Sequence, residues 1–359
     1  MNRLWVIILI IHLFTFPSPL KAQEHFITDT TDYPSLRGKI ADQDFLIKMD
    51  PGSSIEYLKR GLFKLQIKDY KAAIADMDIS IKLKPENNAD GYSNRGMAKS
   101  FLKDYKGAYE DITKAIEQDS GNAMWYLNLA WAESENNEFE KSIKDLDKAI
   151  AIKPEYTKAW SNRGSAKKSI KDYKGAIADF NKALELNPYY PEAYLNLAEV
   201  YQMLKDYKNA IVLYSKAIDL IPTFYLAWGN RGNTYAELND YPKALIDLNK
   251  AIELNPYFER FYNDRGSLKT DMADFAGASV DLNKAIAMGY NDAYNSRAIL
   301  KITLKDYTGA VADCTKAIEL NQDLIKAHES RSIAYEKLGE TQKAKEDKAK
   351  VEALTKEGK

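Results

Sequence analysis

Five asparagines recur at a fixed step of 34 residues: Asn94, Asn128, Asn162, Asn196 and Asn230. An amide carries a donor and an acceptor side by side, so one asparagine can pair with both polar groups of a peptide unit. A row of them can hold an extended chain by its backbone without reading its sequence. That is recognition chemistry. Bond-making chemistry has little to draw on, because the histidines are His12, His25 and His328 and the one cysteine is Cys314. The sequence has no glycine-rich phosphate loop, no H-E-x-x-H and no paired-cysteine motif. The carboxylates recur with the repeat and read as surface or register groups. The expectation is a protein that is no enzyme and needs no metal or cofactor.

The same step organises most of the chain. Nine copies of one module open at Ser54, Ala89, Ala123, Thr157, Pro191, Tyr225, Glu259, Asn291 and Ile325. They occupy 54–87, 89–122, 123–156, 157–190, 191–224, 225–258, 259–290, 291–324 and 325–358, with Asn88 as a spare residue. Positions within a copy are numbered here as slots 1 to 34. Slot 4 is aromatic from Tyr57 to Tyr294 and is His328 in the last copy, where it reads as a packing residue. Slot 8 is Gly, Ala or Ser, and slot 20 is Ala except at Ser142, so two helices can approach closely. Slots 4, 8 and 11 read as the buried stripe of one helix and slots 17, 20, 24 and 27 as that of a second. Cys314 falls in slot 24 and reads as a small core hydrophobe. Pro85, Pro154, Pro188, Pro222 and Pro256 stand at slot 32, where they end the second helix.

This pattern resembles the tetratricopeptide repeat (TPR) family, whose repeats have this length. The resemblance covers all nine copies. It implies an all-α fold, a right-handed TPR superhelix (α-solenoid) of nine helix-turn-helix repeats. It also implies a concave groove lined by slots 2, 5, 6, 9, 12 and 13 of the first helices. The five asparagines occupy slot 6, a row similar to the asparagine ladder in the TPR half of O-linked N-acetylglucosamine transferase. Trp131 at slot 9 and Phe101 at slot 13 would then project into the groove beside Asn94 and Asn128. These seven residues are the expected peptide-binding set. The alternatives are that Asn at slot 6 is a local choice beside the Arg-Gly that follows it, and that Trp131 packs on a neighbouring helix. The family's clamp for a C-terminal carboxylate is ruled out, because no copy offers Lys at slot 5 with Asn at slot 9.

One departure from the family pattern explains itself within the sequence. Slot 7, usually apolar, is Arg60, Arg95, Arg163, Arg231, Arg265, Arg297 and Arg331, and each of those copies has Asp at slot 23. In the fifth copy both slots are leucine, Leu197 and Leu213, while the third breaks the rule with Leu129 and Asp145. The two slots lie equally far from the turn near slot 15, so they face each other across an antiparallel hairpin. A ladder of Arg-Asp pairs is expected, fixing helix register more than adding stability.

The bulk numbers bound the rest. A net charge of -1, from 51 basic and 52 acidic residues, offers no footprint for nucleic acid. A repeat array of this length counts as one elongated domain. At the start, Arg3 precedes an apolar run from Leu4 to Phe16, followed by Pro17, Pro19 and a Leu-Lys-Ala that ends at Ala22. That run is about 20 Å long as a helix, against about 30 Å of bilayer hydrocarbon, so residues 1–22 read as a cleaved signal peptide with no membrane span left afterwards. Residues 23–53 read as a mainly irregular lead-in with a short helix from Ile40 to Lys48. Lys348 and Val351 give the last helix a polar face, which reads as a terminal cap ending the array.

The functional expectation is an exported TPR scaffold, periplasmic or secreted from a Gram-negative bacterium, that binds a protein or extended peptide in its groove. The alternative is a structural assembly protein forming a homo-oligomer or envelope complex through its ends or convex face.

Overall fold

The structure is a computed structural model that describes residues 33–357. The expected signal peptide and residues 23–32 lie outside the described residues. Every regular element among the described residues is a helix. The structure divides into two compact units, one ending at Val200 and the other starting at Tyr201, where the sequence reads as a single domain.

The first unit opens with α1 (Tyr33–Met49). The lead-in is thus more ordered than expected, because this helix runs well beyond Ile40–Lys48 at its N-terminal side. Hairpins follow: α2 and α3 (Ser54–Gln66, Tyr70–Leu83), α4 and α5 (Ala89–Phe101, Tyr105–Gln118), α6 and α7 (Ala123–Glu135, Phe139–Ile152), α8 and α9 (Thr157–Ser169, Tyr173–Leu186). Helix α10 (Pro191–Met203) holds the boundary. The second unit continues with α11 (Tyr207–Leu220), then α12 and α13 (Tyr225–Glu237, Tyr241–Leu254) and α14 and α15 (Glu259–Asp271, Phe275–Ala287). It ends with α16 and α17 (Ala293–Thr303, Tyr307–Leu320) and α18 and α19 (Ile325–Leu338, Thr341–Glu357). Within each unit every helix packs on the next, from α1 to α9 and from α11 to α19.

Local chemistry sets the hairpin turn. Slot 15 takes a left-handed backbone, as at Lys68, Lys103, Lys171 and Lys305, with φ between 63° and 65°. Slot 16 then caps the second helix: Asp69, Asp104, Asp172 and Asp306 each accept a hydrogen bond from the backbone N–H three residues on. Slot 8 lets the two helices meet. A methyl group on Gly96 would stand 2.6 Å from Ile112 and 2.9 Å from the Ala108 carbonyl oxygen.

The core is built between neighbours, as a stack requires. Ala123, Leu127, Ala130, Leu146 and Ala149 of the third copy bury themselves with Ala159 of the fourth. Slot 4 has a second task. The indole N–H of Trp160 donates to the carbonyl of Pro154 at 2.8 Å, and that of Trp228 donates to the carbonyl of Pro222 at 2.9 Å. The fourth and sixth copies are thereby tied to the proline that ends the copy before.

Candidate protein-binding face

The Arg-Asp ladder is present in all seven copies that carry it, each as a two-pronged pair. Arg163 is representative: Nε donates to Asp179 Oδ2 at 2.9 Å and a terminal nitrogen donates to Oδ1 at 2.7 Å. The other terminal nitrogen reaches slot 25 of the preceding copy, Asp147 for Arg163, Ser215 for Arg231 and Asn249 for Arg265. The guanidinium also lies over the slot 4 ring, 4.6 Å from the Trp160 centroid. The arginines are therefore occupied inside the scaffold.

Slot 11 corrects the sequence reading. It was placed in the apolar stripe, yet Lys64, Lys99, Lys167, Lys269 and Lys301 stand there and pair with the slot 23 aspartate. Its recurrence beside the Arg-Asp pair was a signal the periodicity argument passed over. Burial works against charge on Asp281, but Arg265 and Lys269 hold its carboxyl below the usual range. The third copy inverts this arrangement. Leu129 replaces the arginine and Glu133 replaces the lysine, so the buried Glu133 carboxyl lies against Asp145. Burial first, and Asp145 second, push Glu133 up to about 8.

The amide row departs from expectation. Asn162, Asn196 and Asn230 are buried, and only Asn94 and Asn128 stay half-buried. Their donors are largely spent at home. Asn94 and Asn196 donate to the carbonyls of Asp90 and Glu192, one turn back on their own helices, at 2.7 and 2.9 Å. Asn128 donates to the Ser93 hydroxyl at 3.0 Å, and Asn196 accepts from Lys168 at 2.9 Å. The reason is geometric: slots 2 and 6 lie one helical turn apart, and the neighbouring first helix closes over slot 6. Within the first unit, Asn94 and Asn128 keep accessible surface whereas Asn162 and Asn196 do not.

The aromatic pair is brought together. Phe101 stacks on Tyr70 with centroids 4.7 Å apart and planes 9° from parallel, and Trp131 leans on Phe101 at 4.9 Å. Tyr70, Phe101 and Trp131 come from three successive copies, and all three are half-buried. Tyr70, on a second helix, was absent from the expected set. Glu135 lies one turn beyond Trp131 on α6 and is half-buried, and burial raises its carboxyl.

The remaining reactive groups are internal. Cys314 is buried, which pushes its thiol up to about 12. His328 is buried in slot 4 with Nδ1 2.8 Å from Asp347 and Nε2 3.1 Å from the Gln322 carbonyl. Among the described residues no group of three or more His, Cys, Asp or Glu side chains is placed to hold a metal. No helix among them is long and apolar enough to cross a membrane.

Stacked helical hairpins with small residues at their crossings define a helical-repeat protein of the α-solenoid class. Models described as tetratricopeptide repeat match residues 157–190, 191–224 and 225–258, and also 89–122, 126–156 and 292–324. The chain belongs to the tetratricopeptide repeat family, whose members serve as scaffolds for protein partners. Among solved structures it is similar to a tetratricopeptide repeat protein from Parabacteroides merdae, at 23% identity and a TM-score of 0.56, covering 70% of this chain and 98% of that one. PilF of Pseudomonas aeruginosa is 21% identical with a TM-score of 0.50, over 56% of this chain and 92% of that one. The Cut9-Hcn1 hetero-tetramer of APC/C matches at 14% identity and a TM-score of 0.58, over 88% of this chain and 78% of that one. At these identities the likeness speaks for the fold alone. No curated protein sequence matches.

Proposed function

We propose that this chain is an exported scaffold that holds a segment of a partner protein where the second helix of copy one meets the first helices of copies two and three. The observation that carries this reading is the Tyr70, Phe101, Trp131 stack, three half-buried rings joined across three repeats. Aromatic side chains of this kind anchor protein partners. Asn94 and Asn128 lie on the same first helices and supply polar contacts. The Glu135 carboxyl, four residues beyond Trp131 on the same helix, favours a partner that carries a basic group beside its apolar one. Export rests on the apolar N-terminal run, and it places the partner in the periplasm or outside a Gram-negative cell.

The test is capture from the native envelope with wild type, Trp131→Ala and Asn128→Ala. Loss of the same protein from the Trp131→Ala capture, with melting unchanged, supports the reading; equal recovery by all three chains sinks it. N-terminal sequencing of the mature protein checks export separately, since a chain still beginning at Met1 overturns the signal peptide.

A second reading, assembly through the second helices, has one observation in its favour. Val212, Ile246 and Val280 occupy slot 22 in three successive copies and are all exposed. Light scattering separates the readings, because a stable oligomer that Ile246→Lys dissolves favours assembly.

A further inference from the structure

The first helix of the structure has the address of a second helix. Arg60 reaches back to Asp44 on α1 at 2.6 Å, the contact that Arg163 makes with Asp147 at the same distance. Asp44 therefore stands at slot 25. Counting from it, Asp42 takes slot 23, Ile47 takes slot 28 and Pro51 takes slot 32, which matches the aspartate, the aliphatic residue and the proline of the other copies. Helix α1 is the second half of a repeat that precedes the nine.

Among the described residues, no first helix of its own copy covers its outer face. Slot 27 is at most 1% exposed from Ser80 through Ala317, yet Leu46 is 41% exposed there. Phe45 is 63% and Met49 72% exposed, one turn apart beside it, and the Phe45 slot is lysine in eight later copies. Asp42 is exposed, whereas the slot 23 aspartates of later copies are buried. By sequence register alone, residues 20–32 fall at slots 1 to 13, of which the expected signal cleavage leaves 23–32. They place Gln23, Phe26 and Ile27 at slots 4, 7 and 8, where the other copies use an aromatic, mostly an arginine, and a small residue.

We infer that this face of α1 is a docking site for an amphipathic helix of a partner protein, one bearing an arginine followed by a small residue. The arginine pairs with Asp42 as Arg163 pairs with Asp179, and the small residue lets the incoming backbone approach. Leu46 is bulkier than the alanine common at slot 27, so the partner carries a smaller residue than the usual ring opposite it. Phe45 and Met49 extend the apolar contact along one edge. This site is separate from the aromatic stack and stands or falls without it.

The probe is a fluorescent peptide with the sequence of α12, Tyr225 to Glu237, carrying Trp228→Ala, titrated into the full mature chain by anisotropy. Saturable binding is expected, weakened about tenfold by Arg231→Gln in the peptide or Asp42→Asn in the protein, with no further loss when the two are combined. Leu46→Arg should abolish it while circular dichroism stays unchanged. Equal binding of a scrambled peptide, or an Asp42→Asn variant that binds as tightly as wild type, overturns the proposal. So does tighter peptide binding on Phe26→Asp, which would make the chain's own segment the occupant. A dimer abolished by Phe45→Lys would make it a second copy, and overturns it equally.

Discussion

Asp179 receives two parallel hydrogen bonds from Arg163, at 2.9 and 2.7 Å, and a third contact from Lys167 at 2.8 Å, with its side chain 3% exposed. A buried charge set of this kind is costly to break and cheap to replace, since removing one partner strands the others away from water. Asp179→Ala should therefore destabilise the protein by about 3 kcal/mol, read by urea unfolding. Arg163→Leu combined with Asp179→Leu and Lys167→Tyr should cost under about 1.5 kcal/mol, the solution that Leu197, Leu213 and Tyr201 represent in the fifth copy. Additive losses in the Arg163 and Asp179 double-mutant cycle would contradict a register role.

Glu133 carries the clearest pH signature. Its folded carboxyl is raised to about 8 from 4.5, so between those values the folded state keeps a proton that the unfolded state releases. Stability from this group is full below about 4.5 and falls as pH rises through 8. Glu133→Gln keeps the neutral shape, and its unfolding midpoint should decline less steeply between pH 5 and 8 than that of wild type. Parallel pH profiles for the two chains would show that Glu133 is ionised throughout.

Gly96 tests the close crossing of α4 and α5. An alanine there favours the helix by up to about 1 kcal/mol, but its methyl group meets a backbone carbonyl at 2.9 Å, which cannot give way. Overpacking should win, for a net loss of about 1–2 kcal/mol in denaturant unfolding. Ala130 at the same slot of the third copy shows that the fold accepts the methyl group where the neighbours are arranged for it.

Lys171 tests the turn. With φ at 65° it holds a left-handed conformation that favours glycine. Lys171→Gly should be neutral to stabilising by about 0.5–1 kcal/mol, whereas Lys171→Val should destabilise by more than about 1 kcal/mol. A shift of thermal midpoint in opposite directions for the two variants is the expected reading.

The repeat period, the small residues at slots 8 and 20 and the paired Arg and Asp were legible in the sequence because each follows from local periodicity copied nine times. A residue type that recurs at one slot and changes together with another slot reports a contact without coordinates. The lysines at slot 11 carried the same kind of signal, and an apolar reading of the stripe concealed it. The lead-in helix was half concealed, because Asp42, Asp44 and Pro51 keep the repeat's register while Lys39 and Gln43 break its apolar pattern.

By itself the sequence determined that helical hairpins form, where they turn and which charges face each other, since these depend on spacing along one helix or across one turn. Only tertiary structure decided what remains accessible. Asn94 and Asn230 share a slot, but one is half-buried and the other buried, because exposure depends on how closely the neighbouring helix lies. The same holds for Tyr70, Phe101 and Trp131. Their slots differ in number, and it is the stacking of one hairpin on the next that brings three rings from three copies into contact, Tyr70 on Phe101 and Phe101 on Trp131.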